Sequence, residues 1–184
     1  MYLIAGLGNY GEKYTTTRHN AAWLVLDEML SHDVAWGYSK YANADYLHDV
    51  VGDTPVQYIK PHTMMNLSGR AVQYAAEKHE ISPDNIIIIH DDIDIPVGEL
   101  KISFNRGSGN HNGIESINAA LGTREYIRIR VGIGSRGPVP LRSYVLMNLP
   151  DEDLNKIKKL APKLNEAIRL IIEEGLEKAM NEMN

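Results

Sequence analysis

The chain has 184 residues, of which 43% are apolar and 23% charged, a balance that suits one globular domain and excludes disordered or collagen-like chains. No apolar run approaches the roughly 18 residues of a membrane helix. The lack of cysteine removes disulfides, Fe-S clusters, zinc ribbons and a cysteine nucleophile. The net charge of −5 argues against a polyanionic partner, but it is unevenly spread. Residues 101–142 carry seven basic side chains against Glu115 and Glu125, a basic segment in an otherwise acidic body.

The opening Met-Tyr-Leu-Ile runs directly into a buried strand predicted over Tyr2 to Leu7, so no targeting segment is expected before it. Gly8 to Arg18 reads as a polar loop. Asn20 to Leu30 reads as a helix, with Ala22, Leu24, Val25 and Met29 at helical spacing. Residues 33–44 fit no single pattern. Tyr46 to Val51 and Val56 to Ile59 are predicted strands joined across Gly52-Asp53-Thr54-Pro55. Ser68 to His79 is a predicted helix, and Asn85 to His90 is apolar enough to demand a central strand. Glu99 to Phe104 follows a Pro96-Val97-Gly98 turn as a strand, Asn112 to Leu121 is helical, and Tyr126 to Ile133 alternates as a strand. That alternation puts Arg128 and Arg130 on one face and Ile129 on the other. Asp151 is expected to cap a long amphipathic C-terminal helix that Pro162 kinks or divides. Strands interleaved with helices predict an α/β domain with a central mixed, mostly parallel sheet flanked by helices.

Gly6-Leu-Gly8-Asn-Tyr-Gly11 matches the dinucleotide fingerprint, yet no helix opens at its third glycine to meet a pyrophosphate. Gly132 to Gly137 matches the same pattern elsewhere, so the match carries little weight. His19 sits where the first loop meets the first helix, in a position suited either to local packing or to proton transfer. The central strand runs out into His90-Asp91-Asp92-Ile93-Asp94 at its carboxyl end, where α/β folds build sites. These four polar residues invite a divalent-metal reading, which alternate side-chain directions along an extended chain oppose. Asn9, Asn66 and Asn112 each stand at a turn or element start. Each suits a local cap, and together their amides suit recognition of a peptide backbone.

Six stretches of this chain occur in the order and spacing of one family. They are Leu3-Ile-Ala-Gly-Leu-Gly-Asn-Tyr-Gly-Glu-Lys-Tyr, Thr17-Arg-His-Asn-Ala21, Lys60-Pro-His-Thr-Met-Met-Asn-Leu-Ser-Gly69, His90-Asp-Asp-Ile-Asp-Ile-Pro96, His111-Asn-Gly113 and Arg128-Ile-Arg-Val-Gly-Ile-Gly134. Over essentially its whole length the chain resembles the bacterial-type peptidyl-tRNA hydrolases. The resemblance implies cleavage of the ester between a peptide and the terminal ribose of tRNA, in the cytoplasm, by a monomer that needs neither cofactor nor metal. It implies His19 as general base and Asp91 as its orienting partner. It implies Asn9, Tyr14, Met65, Asn66 and Asn112 as substrate-binding residues, with Lys101 and Arg130 contacting tRNA. The chain departs from the family's usual residues at Tyr10, Met64, Asn110 and Ser103. A non-catalytic RNA-binding relative of the same fold, of the group II intron splicing type, is the alternative the resemblance leaves open. A nucleotide-dependent oxidoreductase is the alternative left by the glycine pattern alone.

Overall fold

The computed structural model describes residues 1–30 and 34–184. Its centre is β1 (Tyr2–Gly6), in which Leu3, Ile4 and Ala5 are fully buried. This strand lies between β4 (Thr54–Pro61) and β5 (Ile86–Asp92), parallel to both. The run Ile86 to Ile89 is buried on both faces, which is why it reads as continuous apolar sequence instead of alternating. Beyond β5 come the parallel β7 (Ile127–Gly132) and the antiparallel edge strand β6 (Leu100–Phe104). On the other side, β3 (Ala44–Val51) forms a hairpin with β4, and the short β2 (Gly37–Ser39) completes the order β2-β3-β4-β1-β5-β7-β6. The mixed sheet with a parallel centre is the one expected. Asp33, at the head of the ambiguous stretch 33–44, lies outside the described residues.

The two faces of the sheet bury different helices. One face packs Ile87, Ile89, Ile129 and Val131 against α1 (Ala21–Leu30) and the C-terminal helices α5 (Asp151–Lys158), α6 (Ala161–Glu173) and α7 (Leu176–Met183). The opposite face packs Leu3, Ala5, Ile86 and Ile88 against α2 (Ser68–Lys78) and α3 (Asn112–Leu121). A five-residue helix, α4 (Leu141–Val145), was not anticipated from the sequence. It is too short to show a helical period.

The C-terminal region divides near Pro162, one of the two outcomes expected there, and a second break at Gly175 makes three segments in all. Pro162 begins the second, where its missing N–H is harmless, and Gly175 at φ +93° precedes the third. Asp151 does not cap α5; Pro150 holds that position, and Asp151, Glu152 and Asp153 fill the first turn, where negative charge suits the helix dipole. The last residue, Asn184, has a defined task. Its side chain accepts from the Ile102 N–H at 2.7 Å and donates to the Ile102 carbonyl at 3.1 Å, covering part of the open edge of β6.

Gly8 and Gly69 are among the glycines that close approach requires. A Cβ at Gly8 would stand 2.8 Å from the Trp23 indole, whose Nε1 donates to the Gly6 carbonyl at 2.8 Å. Packing against α1 therefore accounts for glycine there, and the dinucleotide pattern needs no nucleotide. Gly69 lets α2 meet α3, because a Cβ there would overlap the Ser116 carbonyl. Its N–H donates to Ser116 Oγ at 2.9 Å. Gly69→Ala is expected to destabilise the fold by about 1–3 kcal/mol, as overpacking against unyielding backbone does. Urea titration checks this, and an unchanged midpoint would mean that the two helices separate freely.

Candidate active site

A cleft of about 580 Å³ opens over the carboxyl ends of β5 and β7. Its centre is Asp91, the sixth residue of β5, which is 2% exposed. A carboxylate so deeply buried is tolerable only with hydrogen-bond donors around it. Two imidazoles supply them. His19 Nδ1 lies 2.8 and 2.9 Å from the two Asp91 oxygens, and His111 Nε2 lies 2.8 Å from Oδ1.

Both tautomers follow from these contacts. The ionised carboxylate requires the proton on His19 Nδ1, which leaves Nε2 as a lone pair without a protein partner among the described residues. His111 Nδ1 accepts from the N–H groups of Gly113 and Ile114 at 3.1 and 3.3 Å, capping α3, so its proton is on Nε2 and points at Asp91. Burial alone would push the His19 pKa down, but the charge and hydrogen bond of Asp91 outweigh it and hold it above the usual histidine value. Burial would likewise raise the Asp91 pKa, and the two imidazoles instead keep it well below the usual carboxylate range.

The loop carrying His19 is stapled in place. Arg18 N–H donates to the Met147 carbonyl at 3.0 Å, Leu149 N–H to Thr16 at 2.8 Å, and the Arg18 guanidinium lies 4.5 Å from the Tyr144 ring while donating to the Asn148 carbonyl. Asn9 is equally fixed: its N–H and carbonyl pair with the Asn20 side chain, and its Oδ1 accepts from Met65 N–H at 2.8 Å. Only its Nδ2 is left for the cleft. Asn66 and Asn112 are exposed on the rim, on the turn Met65–Leu67 and at the first residue of α3. The N-cap of α3 is His111, not Asn112.

The structure therefore gathers His19, Asp91, Asn9, Met65, Asn66, Asn112 and Arg130 around one cleft. Tyr14 and Lys101 stand outside its lining. Arg130 and Arg128 share a face as alternation requires, yet both are buried, at 8% and 2% exposure. Arg130 pairs with Asp92 at 2.9 Å and Arg128 donates to the Gly107 carbonyl at 3.2 Å. Exposed cations are instead offered by Arg106 and Arg142, lining the same cleft from the 105–111 loop and from α4. Sequence inspection gave His111, Arg106 and Arg142 no role. The motif His111-Asn-Gly113 was the one available signal for the first of them.

The residues of the acidic turn do not converge as metal ligands. Asp91 faces the imidazoles, Asp92 pairs with Arg130 and accepts from the Asp94 N–H, and buried His90 donates through Nδ1 to the Asp91 carbonyl. His19, Asp91 and His111 do bring three ligand atoms within 4.8 Å of one another. For His111 Nε2 to bind a cation its proton would have to move to Nδ1, where it would face the N–H groups that nitrogen now caps. The donor set thus suits hydrogen bonding better than a metal.

The peptidyl-tRNA hydrolase family model matches residues 3–184. A peptidyl-tRNA hydrolase of Thermodesulfovibrio yellowstonii is 39% identical over 188 residues, covering 100% of this chain and 99% of its relative. One from Desulfitobacterium hafniense is 39% identical over 186 residues and covers both chains fully. A crystal structure of a peptidyl-tRNA hydrolase mutant from Acinetobacter baumannii superposes with a TM-score of 0.91 at 28% identity, over 100% of this chain and 94% of that one. Sequence and architecture thus agree from end to end, and the chain belongs to the peptidyl-tRNA hydrolase family.

Proposed function

We propose that this protein hydrolyses the ester bond of peptidyl-tRNA, with His19 as general base and Asp91 as the carboxylate that orients it. The observation that carries this reading is the His19–Asp91 pair, 2.8 Å apart and turned so that Nε2 is the free atom in the cleft. Water held at Nε2 gives up a proton to it as its oxygen attacks the ester carbonyl. The imidazolium, stabilised by Asp91, then returns that proton to the departing ribose oxygen, releasing free tRNA and a peptide acid. Asn9 Nδ2 and the amides of Asn66 and Asn112 supply donors and acceptors for the peptide backbone and its carbonyl. His111 is a positioning residue: through its α3 cap and its bond to Asp91 it holds the carboxylate toward His19. An ester of this kind is already reactive, so neither metal nor cofactor enters the scheme. Because the substrate arises in translation, the site of action is the cytoplasm, and a cleft built wholly from one chain suits a monomer. A purely RNA-binding role would have no use for this oriented base.

The tRNA phosphates are proposed to meet the cleft on its arginine side. Arg106 and Arg142 are exposed there, while Arg130 would contribute through the face of its guanidinium not engaged by Asp92, with Lys101 opposite it in the β6–β7 register.

His19→Ala is expected to reduce hydrolysis by about 10²–10⁴-fold without loss of the fold. Release of tRNA from peptidyl-tRNA, with circular dichroism as control, measures it. The pH dependence of kcat/KM should show an acid limb above that of an ordinary histidine, since the base works only when neutral and Asp91 raises its pKa. Asp91→Asn removes the raising charge, so the limb moves to lower pH while the plateau rate falls. A limb that stayed put would separate Asp91 from the base.

The phosphate contacts are testable by salt. Replacing Arg106 and Arg142 with glutamine should lower the slope of log affinity against log salt by about 0.7–0.9 for each contact removed. Hydrolysis of a minimal ester lacking most of the RNA should be nearly unaffected. An unchanged slope would place the phosphates elsewhere.

A further inference from the structure

On the α2 side of the β3–β4 hairpin lies a second cavity, of about 410 Å³, that shares no lining residue with the cleft around His19. Its size is within the roughly 300–1,000 Å³ common for small-molecule sites. Buried Gln57 forms its floor, and exposed His48 stands opposite Gln57 across the hairpin register. His79, just past the end of α2, approaches His48 edge to face, with ring centroids 5.8 Å apart. Tyr41 and Tyr74, nearly parallel at 18° and 6.2 Å between centroids, make one wall, and Tyr46 lines the cavity beside His48. Lys40 and Lys78 are exposed on its rim.

The polar inventory of the floor is incomplete. Gln57 is 5% exposed, and its one side-chain contact is from Nε2 to His48 Nε2 at 3.4 Å. Its Oε1 is buried without a partner among the described residues, and so is Nε2 of His79. Turning the amide over only exchanges which end is unpaired. Burial first, and then Lys78 and His48 nearby, lower the His79 pKa, which favours the neutral ring as a hydrogen-bonding group. A buried amide end left unpaired by its own fold is a hydrogen-bonding site for water or for a ligand.

We propose that this cavity binds a nucleobase with its attached phosphate. Hydrogen bonding to the base edge would come from the Gln57 amide and His79, stacking from Tyr41 and Tyr74, and phosphate attraction from Lys40 and Lys78. Aromatic rings beside lysines are the elements with which proteins hold unpaired bases, and a primary amide can match the donors and acceptors of a base edge. A peptide would match the tyrosines, but only an acidic one would also match the two rim lysines, and it would leave the stacking faces without a planar base. The base could belong to a free nucleotide or to a single-stranded stretch of RNA, and the two sources share this chemistry. The inference does not rest on the hydrolase reading, because the cavity and the cleft have no residue in common.

Titration of the intact protein with adenosine 5′-monophosphate and cytidine 5′-monophosphate, followed by amide chemical shifts, tests the proposal. An unstructured hexaribonucleotide forms a parallel arm. The expected result is saturable binding of at least one probe, with shifts confined to residues 38–48, 57–59 and 74–79. Gln57→Leu should weaken it about tenfold, equivalent to about 1.4 kcal/mol. Replacing both Lys40 and Lys78 with glutamine, on the exposed rim where folding is not at stake, should weaken it further and reduce its salt dependence. Peptidyl-tRNA hydrolysis should persist in all these variants, and binding should persist in His19→Ala. Tighter binding of the hexamer than of the mononucleotides assigns the site to an RNA strand; equal or weaker binding assigns it to a free nucleotide. No saturation at several millimolar of any probe, or shifts mapping to the Asn9–His19 cleft, or unchanged affinity in both the Gln57 and the double-lysine variants, would overturn the proposal.

Discussion

The arrangement of this molecule depends on one buried carboxylate. Asp91 is almost completely withdrawn from water, and an ion in that position is retained only if donors meet it from several sides. His19 and His111 do so, one from the turn before α1 and the other from the cap of α3. The demand for a solvated charge therefore fixes three separate chain segments relative to one another. It also fixes the proton on each imidazole, and with it the direction in which the free lone pair of His19 points.

The fold makes this arrangement rigid. Because β5 lies between β1 and β7, its carboxyl end cannot shift without disturbing the parallel centre of the sheet. The His19 loop is tied by backbone hydrogen bonds to residues 147–149, and Asn9 is clamped between Asn20 and Met65. Hydrogen bonds to the loops, more than apolar contact, thus set the geometry of the cleft, while the two apolar clusters on either face of the sheet carry the stability of the frame. Preorganisation of this kind is what general-base chemistry needs, since a base misplaced by an ångström loses much of its effect.

The arginines illustrate how burial changes what a charge can do. Seven basic residues between 101 and 142 suggested a polyanion surface. In the fold, Arg128 and Arg130 are buried in the wall of the cleft, where Arg128 braces the Gly107 carbonyl of the 105–111 loop and Arg130 neutralises Asp92 at the end of β5. Their neighbours Arg106 and Arg142 keep the exposed positions. Local sequence density of charge is a sum over side chains, whereas recognition depends on which of them still face water.

Strong local signals were legible in the chain itself. The four-isoleucine run of β5 demanded a central strand, the turn after Val51 joined β3 to β4, tighter than the expected 52–55 since Thr54 and Pro55 already pair, and Pro162 marked a break in the C-terminal helix, because each rests on short-range backbone or burial rules. The motifs around Asn9, His19, Asn66, Asp91 and Asn112 carried the family resemblance, which the family match over residues 3–184 bears out. What only the tertiary structure decided were matters of distance and direction between remote segments. His111 became visible as the second support of Asp91 and Gly8 as a seat for Trp23, since each depends on a residue of another element. Likewise the choice of Pro150 over Asp151 as cap, and of Arg106 over Arg130 as exposed cation, followed from packing, which a linear pattern of residue types does not encode.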